Sequence, residues 1–187
     1  MYVKDDGSVL YSCVDGYPYT YTATMWTAYD ISTASVTNCS LPSNYVPTWC
    51  EFSPDGTYFY CWYWYDSGRN IYQYTLSTPW DLTTASLTRL KSLAWNIGDN
   101  TYDVRFSPSW LKMYVWIRNN QWKIFQYNLS TAWDISTATY FGVLNLTTSY
   151  GWNWMTFGFC NNGKRIFAHQ IWSYSSATWN IVQYDAS

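Results

Sequence analysis

Five cysteines, one histidine and a set of aspartates are the residues in this 187-residue chain whose types could do chemistry. Cys13, Cys39, Cys50, Cys61 and Cys160 form no Cys-x-x-Cys pair and no metal-holding spacing with His169, so neither a metal nor any other cofactor is expected. Thiols spaced in this way ordinarily serve as small buried hydrophobes. Cys50 and Cys61 stand apart because they flank "EFSPDGTYFY". A two-residue turn at Asp55-Gly56 would set them opposite each other on neighbouring strands as a candidate disulfide, whereas a four-residue turn is expected to shift the register and separate them. No serine lies in a Gly-x-Ser-x-Gly setting, and no phosphate loop is present. Glycoside hydrolysis uses two carboxylates at a fixed separation, but Asp30, Asp55, Asp81 and Asp134 all fall in turn words. Of the arginines, only Arg69 and Arg118 share a repeat position, in turns between second and third strands, while Arg89, Arg105 and Arg165 are scattered. His169 stands where related segments carry Trp62 and Trp116, which points to packing. The expectation is therefore that the chain is not an enzyme.

The aspartates belong to a word that the chain repeats. "QYTLSTPWDLTTA" at residues 73–85 returns as "QYNLSTAWDISTA" at 126–138, and a looser copy, "YTYTATMWTAYDISTAS", occupies 19–35. In each copy an aromatic residue, Tyr29, Trp80 or Trp133, precedes an aspartate, Asp30, Asp81 or Asp134. As a corner between strands, such a word lets Ser and Thr bond the backbone while Asp accepts amides just after it, with the ring capping the sheet edge. The alternative is that these six residues make one ligand site per repeat.

A second word runs out of phase with the first: "VKDDGSVLYSC" at 3–13, "FSPDGTYFYCW" at 52–62, "FSPSWLKMYVW" at 106–116 and "FCNNGKRIFAH" at 159–169. It recurs about every 50 residues, a period of propeller blades more than of helical solenoids. Residues 102–147 read as one unit of four short strands rich in Val, Ile, Thr, Tyr, Phe and Trp, joined by turn residues. Strands such as "MYVWI" and "WKIF" are apolar on both faces, as sheets sandwiched between sheets require. The expected fold is all-β: about four antiparallel four-stranded blades in a β-propeller-like domain over 1–187, with units near 1–47, 48–101, 102–154 and 155–187 and incomplete terminal blades.

Composition narrows the setting. Charged residues make up 12% of the chain, the formal net charge is −2, and there are 14 tryptophans and 20 tyrosines. No Lys/Arg cluster exists to neutralise phosphates, which argues against nucleic acid as a partner. No long apolar run suggests a membrane span, and residues 1–20 do not read as a signal peptide. A surface of Tyr, Ser, Thr and Asn suits an extracellular or virion-surface protein and carbohydrate contact. Asn38, Asn128 and Asn145 head Asn-x-Ser/Thr sequons, candidate glycosylation sites in a host that modifies secreted proteins.

"FSPDG" at 52–56 resembles the strand-turn word of WD40-like and TolB-type propeller repeats, and "QYTLSTPWDLTTAS" resembles repeats of propeller-like proteins encoded by tailed phages and aquatic bacteria. The resemblance implies a virion fibre, decoration module or adhesin. The functional expectation is a structural or assembly protein whose strand edges pair with copies of itself or with a longer polypeptide of the same repeats. A lectin-like propeller that stacks aromatic residues on cell-surface glycans is the alternative.

Overall fold

The computed structural model describes residues 1–13, 19–41, 47–63, 70–93, 101–117, 123–145, 155–160, 165–170 and 180–185. Arg69 and Arg118 lie outside them. The strands come in four successive sets: β1 (Tyr2–Val3), β2 (Val9–Cys13), β3 (Tyr19–Met25) and β4 (Ala34–Ser40); β5 (Pro47–Phe52), β6 (Tyr58–Tyr63), β7 (Asn70–Leu76) and β8 (Ala85–Ser92); β9 (Thr101–Phe106), β10 (Lys112–Ile117), β11 (Lys123–Leu129) and β12 (Ala138–Asn145); then β13 (Met155–Cys160), β14 (Arg165–Gln170) and β15 (Asn180–Asp185). Each set is its own antiparallel sheet, ordered as in the sequence: three sheets of four strands and, among the described residues, one of three. The only helical segments among those residues are three single 3-10 turns. The chain is an all-β propeller.

Two apolar clusters show why the strands are hydrophobic on both faces. One joins the first and second units through Tyr11, Phe52, Phe59, Tyr74 and Leu82; the other joins the second and third through Trp49, Tyr60, Trp62, Val115 and Ile135. β6 belongs to both, and residues 59–63 along it are all buried. The first strands pack against one another, β1 on β5, β5 on β9 and β9 on β13, with the second strand β2 also against β5, while the fourth strands β4 and β8 meet the 3-10 turn of the following unit. First strands are therefore inner and fourth strands outer.

The β5–β6 hairpin corrects one expectation. Ser53 N–H donates to the Tyr58 carbonyl at 2.9 Å and Gly56 N–H to the Ser53 carbonyl at 2.8 Å, so the loop runs over the four residues 54–57. A four-residue loop centred on the same point as the two-residue turn keeps the register, and Cys50 still pairs with Cys61. Both are buried and their thiols are unbridged. A hydrogen bond to Cys50, and then burial, push the thiol of Cys13 in the neighbouring unit well up, so three sulfurs gather at this interface.

Candidate functional site

The corner words fold as their composition dictates. Asp30, Asp81 and Asp134 each cap a 3-10 turn, at Ile31–Thr33, Leu82–Thr84 and Ile135–Thr137. Asp134 Oδ1 accepts the Ser136 N–H at 2.9 Å and its hydroxyl at 2.5 Å, and Asp81 and Asp30 do the same with Thr83 and Ser32. Burial alone would raise the Asp134 carboxyl, but those bonds and the Arg89 guanidinium hold it below the usual range.

The aromatic residue before each aspartate adopts a left-handed backbone, with φ of 62° at Tyr29, 69° at Trp80 and 71° at Trp133. That conformation costs an L-residue about 1–2 kcal/mol. What it gains is a seat on the first hairpin of its own unit. A Cβ on Gly56 would stand 2.3 Å from the Trp80 ring, so the indole lies flat on that glycine, and Tyr29 covers Gly7 in the same way. In the third unit Trp110 takes the glycine's place, and the Trp133 ring stacks on it at 4.3 Å and 21°. Each of these three corners is thus latched to the turn of its own unit.

Corners also receive the preceding unit. Tyr11 donates its hydroxyl to the Trp80 carbonyl at 2.6 Å, Tyr60 donates to the Trp133 carbonyl at 2.8 Å, and Ile135 N–H donates to Gln73 Oε1 at 3.1 Å. Arg89 Nε stands 3.5 Å from Asp134 Oδ1 across the same interface.

Of the sequons, Asn38 and Asn145 are exposed on outer strands, and Asn128 is half-buried with its carbonyl taking a Gln126 amide at 3.0 Å. His169 lies on β14, paired with Thr156 and Ile181.

A second group lies on the inner strands, and reading the sequence missed it. Glu51 on β5 and Arg105 on β9 occupy the same repeat position, each just before a Phe-Ser-Pro word; Tyr2 and Gly158 hold that position in the first and fourth units. The signal was available as the only glutamate of the chain aligned with an arginine. Arg105 Nε contacts Asp103 Oδ2 at 3.3 Å. The Glu51 side chain is partly exposed, yet its Oε2 is shut off from solvent without a partner, as are Asp103 Oδ1 and Trp49 Nε1. Buried polar atoms left unpaired call for an explanation, because each forgoes its hydration. Burial pushes the Glu51 carboxyl up to about 8, Arg105 opposing and Asp103 adding to the shift. Burial likewise raises Asp103 against Arg105, and burial, then Asp5 and Glu51, push the Tyr2 phenol up to about 12. Gly158 is exposed, and no described atom lies within 4 Å of where its Cβ would be. The inner strands therefore carry a carboxyl pushed toward its protonated form, a cation paired with a second carboxyl, and a buried indole N–H. Among the described residues no three His, Cys, Asp or Glu could share a metal ion, and no helix is long and apolar enough to cross a membrane.

No family model matches the chain, and no curated protein matches it in sequence. Solved structures do match in fold. A candidate 6-phosphogluconolactonase from Bacteroides uniformis and another from Bacteroides fragilis each superpose with a TM-score of 0.59 at 12% identity. A periplasmic gluconolactonase from Pseudomonas aeruginosa does so at 0.58 and 12%. In each case the match covers 98% of this chain and 53% of the other, so the chain spans about half the length of the structures it resembles. Propeller architecture is what they share; nothing in the comparisons points to phage repeats. The expectation that the chain is not an enzyme is corrected here. Proteins named as lactonases use this fold; the exclusion rested on missing motifs, on aspartates in turn words and on scattered arginines, and did not set Glu51 beside Arg105.

Proposed function

We propose that this chain is the site-bearing part of a propeller that binds a small hydroxyl-rich acid, or the lactone of one, at Trp49, Glu51, Asp103 and Arg105. The observation that carries the reading is the pair of buried, unpaired carboxyl oxygens, on Glu51 and Asp103, beside the Arg105 guanidinium. A polyhydroxylated ligand supplies the acceptor that Trp49 lacks and the donors that Glu51 and Asp103 lack. Arg105 matches a carboxylate or a polarised carbonyl. With its value near 8, Glu51 keeps its proton at neutral pH and does not repel an anion. In lactone opening, water adds to the carbonyl, the ring C–O bond breaks, the departing oxygen takes the Glu51 proton, and the proton of the attacking water restores it. The names of the matched structures support a lactone as the first substrate to try. A carbohydrate-related ligand keeps the chemistry expected of an aromatic-rich, charge-poor chain while moving it from the corners to the inner strands. The periplasmic name of one match fits an extracytoplasmic setting.

Calorimetric titration with gluconate and pH-stat assay of glucono-lactone opening test the proposal. Binding that Arg105→Ala abolishes supports it, and ring opening that Glu51→Gln slows at least about tenfold supports the proton-donor role. Failure to bind either compound overturns both. A pH series adds a readout independent of ligand. The folded value of Glu51 lies above its ordinary 4.5, so the native state holds the extra proton between the two values. Its stability contribution is fully present below about pH 4.5 and is lost as pH rises through about 8. Melting temperature should fall over that range, and Glu51→Gln should flatten the slope.

An assembly role is the second reading, favoured by the exposed corner of the first unit.

A further inference from the structure

The four cysteines whose side chains are described meet at one interface. Cys50 and Cys61 are buried in the apolar cluster that joins the first and second units, and Cys13 and Cys39 pack against it. Among the described residues, the cluster that joins the second and third units holds no cysteine. The repeat shows what the thiols replace. Counting from the shared hairpin word, Cys13 on β2 takes the place of Trp62 on β6, and Cys50 on β5 that of Val104 on β9. Trp62 and Val104 lie together in the buried cluster of the second interface. The same stacking sets Cys13 against Cys50, where β2 packs on β5 and the Cys13 thiol donates to the Cys50 sulfur. Two thiols thus stand where an indole meets an isopropyl group, and they fill much less space.

We infer that Cys13 and Cys50 are a redox pair that closes into a disulfide between the first and second units when the chain meets a low-molecular-weight disulfide. Cys13 is the point of entry, being half-buried while Cys50 and Cys61 are shut off from solvent. The hydrogen bond from Cys13 holds the Cys50 thiol below its ordinary value, against its burial. Cys50, having released its proton to water, takes the Cys13 proton along that bond as the Cys13 sulfur attacks the reagent. The reagent's S–S bond breaks, a mixed disulfide forms on Cys13, and one reagent thiolate leaves with the proton it draws from Cys50. The Cys50 sulfur then attacks that of Cys13 and expels the second reagent thiolate, which takes up the proton first given to water. Two electrons pass to the reagent, which ends as two thiols. The two protein sulfurs have only to close from hydrogen-bond contact to about 2.05 Å. Neither remaining sulfur competes. Cys61 faces Cys50 across the ladder, but burial pushes its thiol far up, the Tyr63 hydrogen bond opposing, so it keeps its proton. Three rungs from the hydrogen-bonded pair of Ser53 and Tyr58, it also makes a non-hydrogen-bonded pair with Cys50, whose Cα separation of about 4.5 Å is at the short limit for a disulfide. Cys39 shares a row with Cys13 but has Thr20 of β3 between them, two strand spacings or roughly 10 Å away.

Oxidised glutathione and dithiothreitol set the two states of the full chain. Free thiols are then trapped in denaturant with N-ethylmaleimide, and chymotryptic peptides are read by non-reducing mass spectrometry, since cleavage after Trp49 and Tyr60 separates Cys50 from Cys61. A Cys13–Cys50 linkage is expected in the oxidised chain, with Cys39 and Cys61 alkylated. Melting temperature should stand about 5 °C or more higher in the oxidised state, because the bond restrains the chain between the two units. Cys13→Ser should abolish both the linkage and the shift, while Cys61→Ser keeps both. The mapping uses the unsubstituted chain, so it stands whether or not a variant folds. Cys13 and Cys50 both free after oxidation, glutathione retained on Cys13, Cys50 linked to any other cysteine, or a redox shift that survives Cys13→Ser overturns the proposal.

Discussion

The corner at Trp133 and the corner at Tyr29 are made from the same word and end in different surroundings. Both cap a 3-10 turn with an aspartate, and both hold their aromatic residue at positive φ. At Trp133 the ring stacks on Trp110, the carbonyl takes the Tyr60 hydroxyl, the amide beyond it reaches Gln73, and Ile135 is fully buried. At Tyr29 the contacts among the described residues are within the unit: the ring over Gly7, its hydroxyl donating to the Asp5 carbonyl, and the amide donating to the Gly7 carbonyl. The difference separates two functions of one motif. Latching the corner to its own hairpin is local and occurs in all three units; receiving a neighbour is tertiary and, among the described residues, is made at the corners of the second and third units.

Substitutions should reproduce that separation, beginning with the largest effect. Trp133→Ala removes both the latch and part of the interface and should cost about 3 kcal/mol in chemical denaturation, whereas Tyr29→Ala, mostly exposed, should cost about 1 kcal/mol or less. Equal losses at the two sites would erase the distinction. Gly56→Ala drives a methyl into the Trp80 ring at a backbone with φ of 72°, and a loss of about 2 kcal/mol is expected. Tyr60→Phe and Tyr11→Phe delete one inter-unit hydrogen bond each and should cost about 1 kcal/mol apiece, with the same change at Tyr29 costing less because its hydroxyl sits at the exposed rim. The smallest effect belongs to Arg89→Ala, since the partner of Asp134 is half exposed; about 0.5 kcal/mol or less is expected, shrinking further with added salt.

Strand identity and the capped corner could be read from residue types, because period, turn residues and the Asp-to-amide geometry are all local. The four-residue hairpin loop was misread for a reason of symmetry: loops of two and four residues about one centre give the same pairing, so the register of Cys50 and Cys61 does not depend on which forms. The positive φ at Tyr29, Trp80 and Trp133 could not be foreseen, since it depends on a glycine or a second indole some twenty residues upstream folding back beneath the ring. The inner-strand group was hidden for another reason. Glu51 and Arg105 sit inside strands, each beside strongly apolar neighbours, so Arg105 read as a scattered cation and turn-borne carboxylates drew attention away from Glu51. Their chemistry emerges only when first strands from different units converge.

The order of the strands also has a kinetic meaning. Every sheet is a meander, so each strand pairs with its neighbour in sequence and the loops to be closed are short. The bonds between units span far more chain, 69 residues from Tyr11 to Trp80 and 73 from Tyr60 to Trp133. Hairpins should therefore form early, on the microsecond scale of isolated turns, and remain unstable until a second sheet arrives to cover them. Folding should then spread from the second unit, which alone shares both apolar clusters, outward to either side, like a nearest-neighbour chain growing from one seed. Hydrogen exchange should find β6 and β7 the slowest to open and the strands of the first unit among the fastest.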